Sequence, residues 1–417
     1  MLCVLCGADY MNLILSTYLT PALRRPSHQS PITNHQSLLT NHQTMNEHTD
    51  TPDSILTLVT LGLVVVGAVM VYSSSSVLAE ARFTGSGFFF KRHLVRAFLG
   101  VVVMFLVARI NYHLFIRFSK ALLFAGLALL MVLWIQKIAH SGNNARRWIR
   151  LLGISFQPSD LVKLALVIYT ADSLARKQDR IRSFVDGLLP YLLLYGFSMA
   201  LIVVQPDLGT AVTIGVVLLI MLFVGRVRLS HIVGVGLASV PILYALIFWV
   251  GYRKDRIAAF LHRGDHVEDV SYQIHQSLIA LSSGGIGGVG LGKSTQKLLF
   301  LPEPHTDFVF SIIGEEFGLL GTLIVLSLFL ILLWRGMRIA RNARDLEGFF
   351  LATGITAMIC VYALFNIGVA TAVLPTTGLP LPFVSYGGSS LLLTLVGVGI
   401  LLSISRRGKR ESEKVGK

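Results

Sequence analysis

Long apolar runs, separated by shorter polar segments, cover most of this sequence from residue 55 onward. A helix that crosses a bilayer needs roughly 20 mostly apolar residues, because the hydrocarbon core is about 30 Å thick and a helix rises about 1.5 Å per residue. Ten runs approach that length, so the pattern predicts an all-α polytopic membrane protein with about ten transmembrane helices. A large loop, 252–308, separates helices 7 and 8. The predicted spans are 55–73, 94–110, 118–136, 158–175, 187–204, 209–225, 230–251, 309–334, 349–371 and 388–405.

Lysine and arginine are unevenly divided between the two sets of connecting loops. One set, together with the C-terminal tail, holds 18 basic residues in about 50 positions, whereas the other holds 13 in about 120. Cytoplasmic loops carry the excess of Lys and Arg, so the first set is predicted to be cytoplasmic, with both termini inside. The large loop is then extracytoplasmic. The first set consists of 111–120, 176–186, 226–229, 335–348 and the tail from Arg406.

Composition agrees with a membrane protein. Only 14% of the residues are charged and the mean hydropathy is +0.69, whereas soluble domains carry about a quarter charged residues. The net charge of +14 resides largely in short loops beside helix ends, so it indicates topology and not nucleic-acid binding. Residues 1–50 are predicted to be an N-terminal extension, either disordered or upstream of a true start at Met45. The transmembrane domain follows at 51–405, and 406–417 is a basic cytoplasmic tail.

Polar residues gather at the predicted outer ends of the spans. Arg146 and Arg147 precede the fourth span, and Asp160 and Lys163 lie one turn apart at its start. A charged side chain inside a membrane is costly unless it is paired or used. Two interpretations stay open for this group: a structural ion pair, or an anion site for a phosphorylated headgroup. Asp207, just before the sixth span, is predicted to be the N-cap of that helix.

The large loop ends with four acidic residues and a histidine around the start of the eighth span. Charged groups at the mouth of a span are costly without a purpose. Thr306 or Asp307 could cap the helix, or Asp307 could act as a general base at the outer membrane face. The acidic residues are Glu303, Asp307, Glu315 and Glu316.

Glycines in the same region have structural interpretations. Gly287 and Gly292-Lys293-Ser294 have the spacing of a phosphate-binding loop, but the loop is predicted to be extracytoplasmic, where ATP is absent, so a nucleotide site is excluded. A flexible loop, or one whose backbone approaches a ligand, is the alternative. Gly314, Gly318 and Gly321 would share one face of the eighth span, which is typical of close helix packing.

Several strings along the chain strongly resemble the SEDS family (shape, elongation, division, sporulation), which includes FtsW, RodA and SpoVE. They occur in the family's order from about residue 60 to 405. One departure is Asp160, where the family usually has Glu. The matching strings are RRWI, QPSDLVKLA, QPDLGTA, YQIHQSLIALSSGGIGGVGLGKSTQKLLFLPEPHTDFVFSIIGEEFG and LPLPFVSYGGSS.

The resemblance implies a peptidoglycan glycosyltransferase that polymerises lipid II, the undecaprenyl-diphosphate-linked disaccharide-peptide, at the outer face of the cytoplasmic membrane. The family's essential aspartate falls on Asp307, and its basic positions fall on Arg147 (or Arg146) and Lys163. Asp307 is therefore expected to be the catalytic base, and the basic residues are expected to contact the diphosphate. Further candidate substrate-binding residues are Glu303, Glu316 and Ser385.

The resemblance also implies partners: a class B penicillin-binding protein for the transpeptidase step, other division proteins and membrane lipid, but no nucleic acid. A divalent cation, Mg²⁺ or Mn²⁺, could assist at the diphosphate, although no motif demands a metal site. The segment 70–75 and the Gly-Lys-Ser-Thr-Gln-Lys-Leu run favour a division-type member at the septum. The alternatives are an elongation-type polymerase, a lipid II flippase and a non-catalytic scaffold.

Overall fold

Every predicted span coincides with a helix. The computed structural model describes residues 52–82, 85, 87–139, 148–151, 154–178, 180–248, 269–298 and 300–415. The prediction of a polytopic all-helical membrane domain is therefore confirmed. The ten helices are α1 (Ser54–Arg82), α2 (Phe88–Arg109), α4 (Ser119–Ala139), α5 (Pro158–Arg176), α6 (Leu189–Val204), α7 (Leu208–Val224), α8 (Leu229–Phe248), α10 (Val309–Arg341), α11 (Leu346–Ala370) and α12 (Ser389–Val415).

Smaller elements connect these helices within the described residues. A short helix, α3 (Tyr112–Arg117), precedes α4, and a π-helical turn (Phe184–Leu188) leads into α6. Strands β1 (Ile149–Leu151) and β2 (Ile154–Phe156) pair antiparallel before α5. The large loop contains a further helix, α9 (Asp269–Ser283).

The helices differ in how well they fit a bilayer by length and composition alone. Six are long and apolar enough to cross one: α1, α6 with its π-helical turn, α8, α10, α11 and α12. α4 and α7 have shorter apolar segments, whereas α2 and α5 carry charged residues near their ends. Most side chains of α11 are buried, so it is central, whereas every side chain of α8 is at least partly exposed. The last helix continues through residue 415, across most of the segment predicted to be a tail.

Contacts between helix ends agree with the predicted up-and-down order. The Arg335 guanidinium, near the end of α10, pairs with Asp53 at the start of α1. The Nε2 atom of His113 lies 2.8 Å from Oδ2 of Asp345, just before α11. All four residues belong to the set of loops and helix ends that the basic residues predict to be cytoplasmic. We call this the inner end of the bundle, and the opposite end the outer end.

α10 is broken at Gly318, whose φ of 65° and ψ of −160° interrupt the helix. The glycine-rich part of the large loop supplies the backbone partners that the broken turn lacks. The amide of Leu319 donates to the carbonyl of Gly285 (2.9 Å), and that of Val289 donates to the carbonyl of Glu315 (3.0 Å). Irregular backbone at membrane depth is tolerated where protein satisfies it in this way.

The sequence predicted that Gly314, Gly318 and Gly321 share one face of a continuous helix. This prediction is wrong, because the helix is broken at Gly318. Only glycine readily adopts the φ of residue 318, so this residue serves the break and not a helical face. Gly314 does permit close packing, because a Cβ there would lie 2.4 Å from Cδ2 of Leu281 in α9. The sequence pattern could not reveal the break, since glycine spacing is the same in a straight helix and in a broken one.

Candidate active site

Asp307 lies at the outer end, two residues before α10 begins at Val309. The N-cap of α10 is Phe308, and no side chain makes a capping hydrogen bond there. The interpretation of Thr306 or Asp307 as the cap of this helix is therefore wrong. Its side chain is only partly buried, so the carboxylate is presented at the outer end and does not cap the helix that follows it.

The backbone at Asp307 is held by an amide from a distant helix. Nδ2 of Asn366, in α11, donates to the carbonyl oxygens of Asp307 and Leu379, both at 2.8 Å. Asn366 is 1% exposed, so these bonds form in a water-poor setting where they are hard to replace. They join Asp307 to the uncharged loop 371–388.

That loop also approaches the Asp307 side chain. A Cβ built on Gly378 would lie 3.5 Å from Oδ2 of Asp307, and Gly378 has a φ of +72°. Any other residue at 378 would be strained by this φ, while its Cβ would make an ordinary van der Waals contact with the carboxylate. Loop 371–388 is thus a direct neighbour of the Asp307 side chain.

Ser385 positions the segment that carries Asp307. Its hydroxyl donates to the carbonyl of Thr306 and accepts from the amide of Leu381 at 2.9 Å. The amide of Tyr386 donates to the carbonyl of His305 at 2.8 Å. Because both roles of the Ser385 hydroxyl are used, the residue acts on the site by holding the backbone. Its predicted contact with substrate stays a prediction.

Asp160 and Lys163 form a buried ion pair at the start of α5. Nζ of Lys163 lies 2.8 Å from Oδ1 of Asp160, and the two side chains are 5% and 7% exposed. The hydroxyl of Ser389 donates to Oδ2 of Asp160 at 2.7 Å. Nζ of Lys163 also lies 4.2 Å from the ring centroid of Tyr362, an arrangement in which a ring face attracts a cation.

The same loop links this pair to Asp307. Ser389 begins α12 directly after the loop. A Cβ on Gly209, at the start of α7, would lie 2.9 Å from the Thr377 side chain, one residue from Gly378. Asp207 caps α7 through the amide of Thr210 (3.2 Å), as predicted. The ion pair, the start of α7 and Asp307 therefore share the outer end, grouped around loop 371–388.

An aromatic cluster covers one side of this region. The ring of Phe89 lies 4.9 Å from that of His305 and 5.4 Å from that of Tyr386, between centroids. The Arg96 guanidinium lies 5.3 Å from the Tyr386 ring centroid. Burial lowers the pKa of the His305 imidazole, although Glu303 opposes the shift. His93 is fully buried, and within the described residues neither of its ring nitrogens has a hydrogen-bond partner.

Sequence reasoning missed several of these residues. A signal existed for α2, because its first turns carry Lys91, Arg92 and Arg96 at an end predicted to be outer, where basic residues are disfavoured. Asn366 was also detectable as an amide inside an apolar span. Ser389 offered no such signal, since a serine at the start of a helix is ordinary.

Glu315 and Glu316 hold the large loop in place. Glu315 accepts hydrogen bonds from the amide and hydroxyl of Thr295, both at 2.8 Å, and from the hydroxyl of Ser294. Glu316 pairs with Lys297 at 3.1 Å and accepts from Ser73 at 2.6 Å. The hydroxyls of Ser294 and Thr295 in the Gly-Lys-Ser-Thr run thus donate to a carboxylate of the same protein, which agrees with the exclusion of a nucleotide site.

The same contacts bear on another motif. Ser294 and Lys297 have the Ser-x-x-Lys spacing of a transpeptidase nucleophile, but each is engaged by a glutamate. The structure therefore gives these two residues a structural role. Glu316 is buried, with only 1% of its surface exposed. Its predicted contact with substrate stays a prediction. Glu303 is exposed, and Thr306 donates to its carboxylate at 3.3 Å. Arg146 and Arg147 lie outside the described residues.

A metal would find few protein ligands at Asp307. Among the described residues, the only group of three His, Cys, Asp or Glu side chains close enough to share an ion is His113, Asp345 and Glu347, at the inner end. Mg²⁺ is, however, commonly held by one or two carboxylates together with substrate phosphates. Asp307 fits that kind of shared site, but not a dedicated metal site.

Comparison with known proteins gives consistent matches. A family model described as a cell cycle protein, FtsW/RodA/SpoVE, matches residues 53–410. A protein of Geobacter sulfurreducens, named probable peptidoglycan glycosyltransferase FtsW, is 44% identical over 357 residues, which is 86% of this chain and 96% of that protein. Stage V sporulation protein E of Bacillus subtilis is 42% identical over 362 residues, covering 87% of this chain and 99% of that protein.

Solved structures show the same architecture. A chain from a structure described as the structural coordination of polymerization and crosslinking by a peptidoglycan synthase complex has a TM-score of 0.69 at 29% identity. The match covers 86% of this chain and 98% of that one. The rod shape determining protein RodA of Thermus thermophilus has a TM-score of 0.62 at 28% identity, with 85% and 97% covered.

Proposed function

This chain belongs to the FtsW/RodA/SpoVE family of cell cycle proteins, and from that premise we propose that it polymerises lipid II with Asp307 as the general base. It is a multi-pass membrane protein and a peptidoglycan glycosyltransferase, the activity for which its FtsW relatives are named. The observation that carries the role of Asp307 is its placement: a partly buried carboxylate at the outer end that caps no helix, with its backbone clamped by Asn366.

The reaction joins two lipid-linked sugars. A sugar 4-hydroxyl attacks the anomeric carbon of the second molecule, so a glycosidic bond forms and the bond from that carbon to the lipid diphosphate breaks. Asp307 takes the hydroxyl proton as the bond forms, and the diphosphate leaves with the negative charge. A positioned base contributes about 10²–10⁴-fold to such a step.

The departing diphosphate needs cationic stabilisation. Lys163 supports that role because an ammonium has three donors, of which Asp160 takes one. Arg146 and Arg147 are proposed as the other contacts on the basis of the family resemblance. If a divalent cation, Mg²⁺ or Mn²⁺, takes part, Asp307 would be the described residue to hold it together with substrate phosphate, and the cation would neutralise phosphate charge.

The biological setting is a further part of the proposal. The distribution of basic residues favours an outer end that faces away from the cytoplasm, with both termini inside. High identity to proteins named FtsW supports a role in division at the septum. A class B penicillin-binding protein is proposed as the partner, because the chain matches one member of a peptidoglycan synthase complex.

A polymerisation assay with purified protein in detergent tests the activity and the base together. Lipid II is supplied with and without the penicillin-binding protein and with Mg²⁺, Mn²⁺ or a chelator, and glycan products are separated by length. We expect polymer from the wild type and none from Asp307→Asn, which keeps the size of the side chain but cannot accept the proton. Full activity of Asp307→Asn would overturn the assignment.

A matched control is Asp345→Asn at the inner end, where asparagine can still cap α11. It is expected to polymerise normally. The detergent assay also separates the enzyme from a flippase, since transport has no meaning without a bilayer. A scaffold without catalytic activity predicts that Asp307→Ala supports growth, whereas a polymerase predicts that it does not.

A further inference from the structure

A basic hollow of about 510 Å³ opens at the inner end, where α5 ends and α6 begins. It lies at the opposite end from Asp307 and takes no part in the proposed reaction. Three basic side chains line it against one acidic side chain. The lining residues are Arg176, Lys177, Arg180, Val185, Asp186 and Pro190.

The basic groups of the hollow are only partly neutralised. Arg176 pairs with Asp172, one turn earlier in α5, while remaining 54% exposed. Nζ of Lys177 lies 5.8 Å from the ring centroid of Tyr191. Among the described residues, which do not include Asp179, no carboxylate lies within ion-pair distance of Lys177 or Arg180. The hollow thus presents cationic donors to whatever enters it.

The wall of the hollow is shaped by the backbone. In the π-helical turn, the amide of Leu188 donates to the carbonyl of Ser183 at 3.3 Å. A Cβ on Gly187 would lie 2.7 Å from the carbonyl oxygen of Arg180, so the turn packs directly on the basic segment. π-helical turns are rare and frequently occur at functional sites.

An apolar path leads from the hollow into the predicted lipid phase. Val185 at its edge is 62% exposed. Pro190, Leu193 and Phe197 follow at intervals of three and four residues, so they share one face of α6, and all are exposed. A headgroup in the hollow would therefore have its acyl chains along this face.

We propose that the hollow is a binding site for the phosphate headgroup of an anionic phospholipid in the inner leaflet. Basic pockets between transmembrane helices on the cytoplasmic side suit such headgroups, and the apolar face of α6 favours a lipid over free phosphate. The site is independent of the glycosyltransferase assignment, although naming the leaflet rests on the proposed orientation.

Native mass spectrometry of the full chain in detergent tests the proposal by counting bound lipids. Phosphatidylglycerol is compared with phosphatidylcholine, with oleate as an anionic lipid without phosphate, and with competing inorganic phosphate. We expect phosphatidylglycerol to bind best and millimolar phosphate to leave it bound. Equal binding of oleate would overturn the phosphate chemistry, and displacement by phosphate at low millimolar concentration would overturn the choice of a lipid.

Variants locate the binding. Each basic residue near a membrane surface contributes about 1 kcal/mol, so Arg180→Gln should weaken binding about fivefold, and the double variant with Lys177→Gln about 25-fold. Arg182→Gln is the matched control, since this exposed arginine lies in the same segment but does not line the hollow. An equal loss with Arg182→Gln would show diffuse attraction and overturn the site. Polymerisation in detergent should be unchanged in all three.

Discussion

Replacing Lys163 with methionine would leave the Asp160 carboxylate buried without its cation, and Asp160→Ala would leave the ammonium buried without its anion. Breaking a buried pair from one side costs about 3–5 kcal/mol. The 5% and 7% exposures of the two side chains place this pair in that class and not among surface pairs, which contribute about 0–1 kcal/mol.

The double variant Asp160→Ala/Lys163→Met separates stability from activity. It removes both charges together, so most of the cost should disappear. The hydroxyl of Ser389 loses its acceptor on Asp160, and a buried unsatisfied group costs about 1–3 kcal/mol. We therefore expect the double variant to be more stable than either single variant, with its free energy of unfolding about 1–3 kcal/mol below that of the wild type.

The assays are unfolding in mixed detergent micelles and polymerisation of lipid II. If Lys163 contacts the departing diphosphate, activity stays low in the double variant even though the fold recovers. Loss of one hydrogen bond to a charged group is worth about 1.5–3 kcal/mol, or roughly a 10- to 150-fold drop in rate. A stable double variant within about threefold of wild-type activity would refute the substrate role of Lys163 and leave only a structural pair.

Three further predictions follow from the packing. Gly318→Ala should lower folding stability by several kcal/mol in the unfolding assay, because a φ of 65° is strained for alanine and a Cβ would lie 2.4 Å from the backbone of the glycine-rich loop. The control is Gly62→Ala, whose Cβ would meet no atom within 4 Å. This variant should be as stable as the wild type or more stable. Burial lowers the pKa of His305 below its ordinary 6.5. The unfolded state therefore binds more protons at this residue, and folding stability falls as the pH drops below 6.5. His305→Gln should reduce the fall in melting temperature between pH 6.5 and 5.5, and an unchanged slope would contradict the reasoning. Asn366→Leu should lower kcat up to about 100-fold with little change in KM, because loss of the amide shifts the backbone that carries Asp307. A rise in KM at constant kcat would instead show that Asn366 acts in substrate binding.

The positions along the chain of the ten described helices that coincide with predicted spans could be predicted from the sequence. Each span must present about 20 apolar residues because lipid cannot satisfy polar groups, and that requirement is written locally in the chain. Asp307 was detectable for the same reason, since a carboxylate at the mouth of a span is costly unless it has a function. The cap at Asp207 was likewise a local property of a turn and the helix after it.

Long-range contacts decided the rest. The break at Gly318 depends on backbone partners in a glycine-rich loop about 30 residues earlier in the chain. The clamp on Asp307 comes from Asn366, 59 residues away, and the link between Ser389 and Asp160 spans 229 residues. Hydrophobic periodicity records which face of a helix avoids water or lipid, but not which neighbour meets that face. The sequence by itself therefore determined the helices and a candidate base, whereas the tertiary structure decided which side chains hold that base in place.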